Sequence, residues 1–196
     1  MSNVFKGLKP EKLWSYFYEI CQVPRPSKKE EKISAYIQGV AKKLKLECLV
    51  DETGNILIRK PATKGYEKSP TVVLQSHIDM VCEKNNDTKH NFDKDPIVPR
   101  IDGEWVKATG TTLGADDGIG IATQLAILDS SDIAHGPLEM LFTVDEETGL
   151  TGAFGLKPGF LKGNILLNLD SEDEGELFIG CAGGQDTRIE IKYKTE

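Results

Sequence analysis

Hydrophobic and polar positions along the chain follow two rhythms in turn. Over residues 10–22 (PEKLWSYFYEICQ), Leu13, Trp14, Phe17, Ile20 and Cys21 fall at helical spacing behind Pro10, which suits a first turn. VPRPS then breaks the pattern. Ser27 and Glu30 spell a capping box, S-x-x-E, which predicts a second helix to about Leu44 with Ile33, Tyr36, Ile37, Val40, Ala41 and Leu44 as its apolar stripe. CLVD and ILIRK flank Glu52-Thr53-Gly54-Asn55 and predict a strand pair about a turn. TVVLQS (71–76), after a proline, is a nearly unbroken apolar run that reads as a buried central strand. IVPRIDGEWVKA predicts a hairpin about Asp102-Gly103. GIGIATQLAILDS predicts a buried helix over about 117–129, LEMLFTVDEE (138–147) a second buried strand, and NILLNLD (164–170) a third. The glycines around Gly149–Gly155 predict a tight turn and a short, closely packed helix. Helices alternating with apolar strands predict an α/β fold, a mixed, mostly parallel sheet flanked by helices.

Composition narrows this picture. The 196 residues carry 24 Lys+Arg against 31 Asp+Glu, a net charge of −7, so the chain lacks the basic face that nucleic acid requires. No stretch approaches the roughly 20 apolar residues of a membrane helix, and MSNVFKGLKPEK has no signal-peptide core. A cytoplasmic protein with no membrane partner is expected. Cys21, Cys48, Cys82 and Cys181 form no CxxC pair and read as free thiols. Eight acids against two lysines within 145–176 give −6 of the total −7, so the acidity is local.

The chemistry sits at strand ends. Strand 71–76 stops at Ser76-His77-Ile78-Asp79, strand 138–144 at Asp145-Glu146-Glu147, and strand 164–169 at Asp170. Asp116-Asp117 lies where a glycine-rich loop enters a helix. If the strands are parallel, these residues converge on one edge of the sheet, where α/β proteins bind ligands. Crowded carboxylates raise one another's pKa, and divalent cations relieve the repulsion. One His among several carboxylates suits zinc, with Mn or Co as alternatives. In His77-x-Asp79, the carboxylate is placed to take the second ring N–H of a metal-binding imidazole. In Glu146-Glu147, one carboxylate can hold a metal while its neighbour acts as general base on water. Each feature also has a plainer reading: Asp116-Asp117 as a helix cap, Glu146-Glu147 as solvated surface, and SEDEGE (171–176) as a solvated acidic loop. His90 and His135 sit in polar or turn context and are not expected as ligands. GADDGIG lacks the Lys-Ser/Thr of a phosphate cradle.

SHIDMV (76–81), TTLGADDGIGIA (111–122), TVDEETGLTGA (143–153) and NLDSEDEGELFIGCAGG (168–184) together resemble the co-catalytic di-zinc metallopeptidases related to carboxypeptidase G, aminoacylase and carnosinase. VPRPS-x-x-E (23–30), HIDMV followed by CEKN, and DSEDEGE resemble the aminoacyl-histidine dipeptidase branch of that family. The resemblance implies two zinc ions, with His77 and Asp170 on one, Glu147 on the other and Asp116 bridging. It implies Asp79 as the residue that orients His77 and Glu146 as the general base. The family often has Asn after the bridging Asp; here Asp117 stands there, and the bridging role falls to Asp116 or Asp117. The implied reaction is hydrolysis of Xaa-His dipeptides. A deacylase or tripeptidase of the same family, or a non-catalytic metal- or peptide-binding remnant, are the alternatives.

Family members are longer, with an inserted lid domain that mediates dimerisation in many relatives and a later His ligand. The resemblance therefore predicts residues 1–180 as the N-terminal portion of a catalytic domain and 181–196 as the first strand of a lid. It predicts self-association or a homodimer, and weak or no activity for this chain by itself.

Overall fold

The computed structural model describes residues 3–171, 173, 175–185 and 187–194. Parts of the acidic loop at 171–176 and of the strand predicted in 181–196 lie outside the described residues. Two amphipathic helices open the chain, α1 (Glu11–Cys21) and α2 (Glu31–Leu44). They are followed by β1 (Glu47–Val50), β2 (Ile56–Lys60) and β3 (Val72–His77), then by a hairpin of β4 (Pro99–Asp102) and β5 (Trp105–Ala108). The helix α3 (Ala115–Leu128), the strand β6 (Leu138–Thr143), the short helix α4 (Thr151–Gly155) and the strand β7 (Ile165–Asn168) complete the order.

The main sheet has the order β1-β2-β6-β3-β7. β1 pairs β2, and β2 pairs β6, antiparallel; β3 lies parallel to both β6 and β7. The architecture is α/β with a mixed sheet flanked by helices, as the alternation predicts. Because side chains alternate across a strand, Ile56, Ile58, Leu74, Met140 and Phe142 turn to one face of the sheet. There they join Phe17, Ile20, Ile33, Ile37, Ile121 and Leu125 of the helices in the main core. Leu57, Val73 and Leu141 turn to the other face and pack with Leu156, Phe160 and Leu161. Each such side chain contributes on the order of 1.5–3 kcal/mol through burial.

Two expectations are corrected. Glu30 precedes α2 as its N-cap, with no side-chain cap bond, so Ser27 and Glu30 form no capping box. Both side chains point elsewhere, as described below. β7 forms where predicted but is not buried: Ile165, Leu166 and Leu167 are half-exposed, because β7 is an edge strand hydrogen-bonded to β3 alone. Among the described residues of 181–194 no strand forms, and those residues are exposed. The alternation of TRIEIKYK supplies side-chain periodicity but no neighbouring ladder.

Candidate metal centre

The parallel alignment of β3, β6 and β7 brings their C-terminal ends to one edge of the sheet. His77 closes β3 opposite Thr143 of β6, and Gln75 pairs with Asn168 of β7. His77 is 1% exposed. Its Nδ1 lies 3.1 Å from Asp79 Oδ1 and its Nε2 lies 2.9 Å from Asp116 Oδ1. Asp170 Oδ2 stands 3.9 Å from the same Nε2. The imidazole therefore has one carboxylate behind it and two in front.

Asp79 is fully buried and saturated with donors. Its carboxylate accepts the Ser27 hydroxyl at 2.7 Å and the backbone N–H groups of Glu146 and Glu147 at 3.1 and 3.2 Å. It thus fixes both the His77 ring and the turn that carries Glu146 and Glu147. That turn begins at Asp145, in the left-handed region at φ 48°. The Asp145 carboxylate accepts the hydroxyls of Thr148 and Thr151. From the other side, Asn55 accepts the Val144 N–H at 3.2 Å and donates to the Gly152 carbonyl at 2.9 Å. Gly152 has to be glycine for this fit, since a Cβ there would stand 2.5 Å from Asn55 Oδ1 and from the Val144 carbonyl.

Asp116 and Asp117 sit at a break in α3, with φ/ψ of −79°/115° and −104°/40°, and the peptide bond between them is cis. Asp117 is 3% exposed and accepts the Gly120 N–H at 3.0 Å, an N-cap bond for the regular helix beyond it. Asp116 is the exposed member of the pair and turns to His77. The structure thus places Asp116 against the imidazole and Asp117 in the cap.

Donor atoms of His77, Asp116 and Glu147 lie within 4.8 Å of one another, and so do those of His77, Glu146 and Asp170. Every residue predicted for the site (His77, Asp79, Asp116, Glu146, Glu147 and Asp170) is therefore in one cluster, with His77 common to both triads. Burial alone would lower the His77 pKa, but hydrogen bonds to the Asp79 and Asp116 carboxylates outweigh it and raise the value to about 9. Burial alone would raise that of Asp79, but bonds from His77, Ser27 and the Glu146 N–H hold it at about 2. Burial pushes Asp117 up to about 7, aided by the charges of Asp170 and Asp116 and opposed by His77. Glu146 and Glu147 are also raised, first by burial and then by neighbouring carboxylates. Such a cluster of strained acids around one imidazole with an oriented Nδ1–H has the donor chemistry of a divalent metal centre.

Glu30, Asp79 and Asp145 form another close group of carboxylates. It is already satisfied by protein donors: Glu30 accepts the N–H groups of Lys28 and Asp145, and the other two are engaged as above. His135 packs its Nδ1 2.7 Å from the Gly136 carbonyl oxygen, and His90 packs edge-on against Phe92. Neither belongs to the cluster. Cys82 points at the Met80 carbonyl, and burial raises its pKa, the opposite of an activated nucleophile. Sequence reasoning missed Arg25, Ser27 and Glu30 as neighbours of the site, because their partners lie 52 or more residues away in the chain.

The chain matches a protein family, "Peptidase family M20/M25/M40", over residues 73–192. It is 58% identical over 179 residues to the cytosol non-specific dipeptidase of Escherichia coli (strain K12), covering 91% of this chain and 37% of that protein. The crystal structure of an aminoacylhistidine dipeptidase from Vibrio alginolyticus superposes with a TM-score of 0.89 at 57% identity, over 90% of this chain and 36% of that one. The aminopeptidase PepT from Bacillus cereus ATCC 10987 gives a TM-score of 0.71 at 29% identity, over 83% and 44%. The chain thus spans little more than a third of the length of its dipeptidase relatives.

Proposed function

Because the chain belongs to peptidase family M20/M25/M40, we propose that its site serves metal-dependent hydrolysis of dipeptides of the Xaa-His type. The carrying observation is the environment of His77, with Asp79 behind Nδ1 and Asp116 and Asp170 before Nε2. The E. coli and Vibrio relatives, a dipeptidase and an aminoacylhistidine dipeptidase, support the dipeptide class, and the latter supports histidine as the released residue.

One imidazole with four carboxylates fits two divalent ions of the zinc, cobalt or manganese type. In this reading His77 and Asp170 would hold one ion and Glu147 the other, with Asp116 available to both. Bound there, the ions supply Lewis-acid polarisation of the scissile carbonyl and lower the pKa of water. The chain's own residues do the rest. Asp79 accepts the Nδ1–H of His77, keeping its Nε2 lone pair turned toward the ions. Glu146, half-buried beside His77 and Asp170, takes a proton from the attacking water and returns it to the leaving amine. We place the protein in the cytoplasm, following its cytosolic relative. A homodimer is part of the same reading.

The 196 residues alone are proposed to turn dipeptides over weakly or not at all. Among the described residues the cluster contains a single imidazole, and no strand pairs with the outer edge of β7. Zinc content by mass spectrometry and histidine release from Xaa-His dipeptides test the proposal. Wild type and Glu146→Ala are expected to retain zinc while His77→Ala and Glu147→Ala lose it. Any residual hydrolysis should vanish in Glu146→Ala. A wild-type chain without zinc affinity would sink the metal centre, and hydrolysis that survives Glu146→Ala would sink the base assignment.

A further inference from the structure

The segment between α1 and α2 carries Arg25, Ser27 and Glu30, none of which has a role in the reaction above. The Arg25 side chain is buried, 3% exposed. Its Nη1 donates to the Ile78 carbonyl at 3.2 Å and to the Asp79 carbonyl, and its Nη2 donates to the Gly114 carbonyl. One planar guanidinium therefore joins the end of β3 to the loop that delivers Asp116, a use of its rigid fork of donors that lysine cannot copy. Gly114 and Gly118 make room for it, since a Cβ at either would stand 2.6 or 2.8 Å from Nη2. Pro26 forms a parallel bridge with Met80. Ser27 donates its hydroxyl to Asp79. Glu30 accepts the N–H of Asp145 at 3.1 Å and that of Lys28 at 2.8 Å, reaching the third loop of the site.

Four of these six consecutive residues, Arg25, Pro26, Ser27 and Glu30, thus touch the three chain segments 78–80, 114–117 and 145–147 that carry or adjoin the candidate ligands. We propose that Arg25–Glu30 is a positioning clamp: Ser27 and Glu30 fix the Asp79 carboxylate and the Asp145–Glu147 turn in the geometry that binds metal. The inference rests on the metal reading given above. The residues act through Asp79 and Asp145 and do not touch the ions or the substrate.

The test is zinc affinity of the 196-residue chain, measured by competition with a chromophoric chelator and using zinc alone as the probe. Apo-protein melting temperatures are recorded alongside. Ser27→Ala and Glu30→Ala are each expected to weaken zinc binding by about 10-fold, the lower end of losses from outer-shell partners. Glu30→Gln keeps an oxygen that accepts the two N–H groups and is expected to restore affinity to within about 2-fold of wild type. Wild-type affinity in both alanine variants overturns the clamp and leaves the metal centre standing. So does a loss that Glu30→Gln fails to rescue, or one that only tracks a lowered apo melting temperature. Absence of zinc binding in the wild type overturns both readings together.

Discussion

Arg59 and Glu139 face each other across the antiparallel β2–β6 ladder, with Nε 2.8 Å from Oε1. Glu139 is almost fully buried, and its second oxygen accepts the N–H groups of Lys162 and Gly163 at 2.8 and 3.0 Å. Burial alone would raise the Glu139 pKa, but Arg59 and the two amides outweigh it and hold it below its ordinary 4.5. A depressed carboxylate stabilises the fold fully above the unfolded value and loses that contribution as pH falls through the folded one. Glu139→Gln is expected to cost about 2 kcal/mol at neutral pH. The gap from wild type should shrink as pH drops below 4.5, as urea denaturation at a series of pH values would show. A gap independent of pH would remove the charge from the account.

Two glycines should respond to alanine with opposite signs. Gly39 lies inside α2 with nothing within 4 Å of an added Cβ, so Gly39→Ala is expected to stabilise by about 0.5–1 kcal/mol. Gly152 would drive its Cβ to 2.5 and 2.6 Å from backbone atoms of Val144, which cannot swing aside. Gly152→Ala should cost about 2–3 kcal/mol. Thermal unfolding of the two variants side by side decides.

Thiol reactivity should rank with exposure. Cys181 is exposed, Cys48 and Cys82 are half-buried, and Cys21 is buried with its pKa pushed to about 12 by burial. Titration with a chromogenic disulfide is expected to label Cys181 first and Cys21 only after unfolding. Early labelling of Cys21 would contradict its buried place at the end of α1.

Saturating zinc should stabilise the chain by linkage, by roughly 2.7 kcal/mol at a free concentration 100 times the dissociation constant. The gain should reverse with a chelator and be absent in His77→Ala. A shift of equal size in His77→Ala would place the metal elsewhere.

The sheet was legible because Val72–His77 and Leu138–Thr143 announce themselves as apolar runs that stop abruptly at ionisable residues. Their parallel pairing then brings those stops together without any further information. Ser27 and Glu30 misled for the converse reason. S-x-x-E has the local spelling of a capping box, yet Ser27 finds Asp79 and Glu30 finds Asp145, contacts that no local pattern contains. At β7 the apolar run gave the strand but not its exposure, which depends on what lies beside an edge. The helix predicted from about residue 117 began two residues earlier, interrupted at Asp116 and Asp117, because Asp117 turns inward to cap while Asp116 turns out toward His77.

The seating of the Arg25 guanidinium against Gly114 and Gly118 makes three distant positions a single unit of inheritance. A side chain at either glycine would evict the arginine, and a smaller residue at 25 would take the guanidinium donor from the buried Ile78 and Asp79 carbonyl oxygens and leave the Gly114 carbonyl only the Gly118 N–H. Neither half can change first without loss. When segments are exchanged between this chain and a relative, the loop 110–118 must therefore travel with the stretch 23–30, or the hybrid will carry an intact set of ligands on a frame that no longer aligns them.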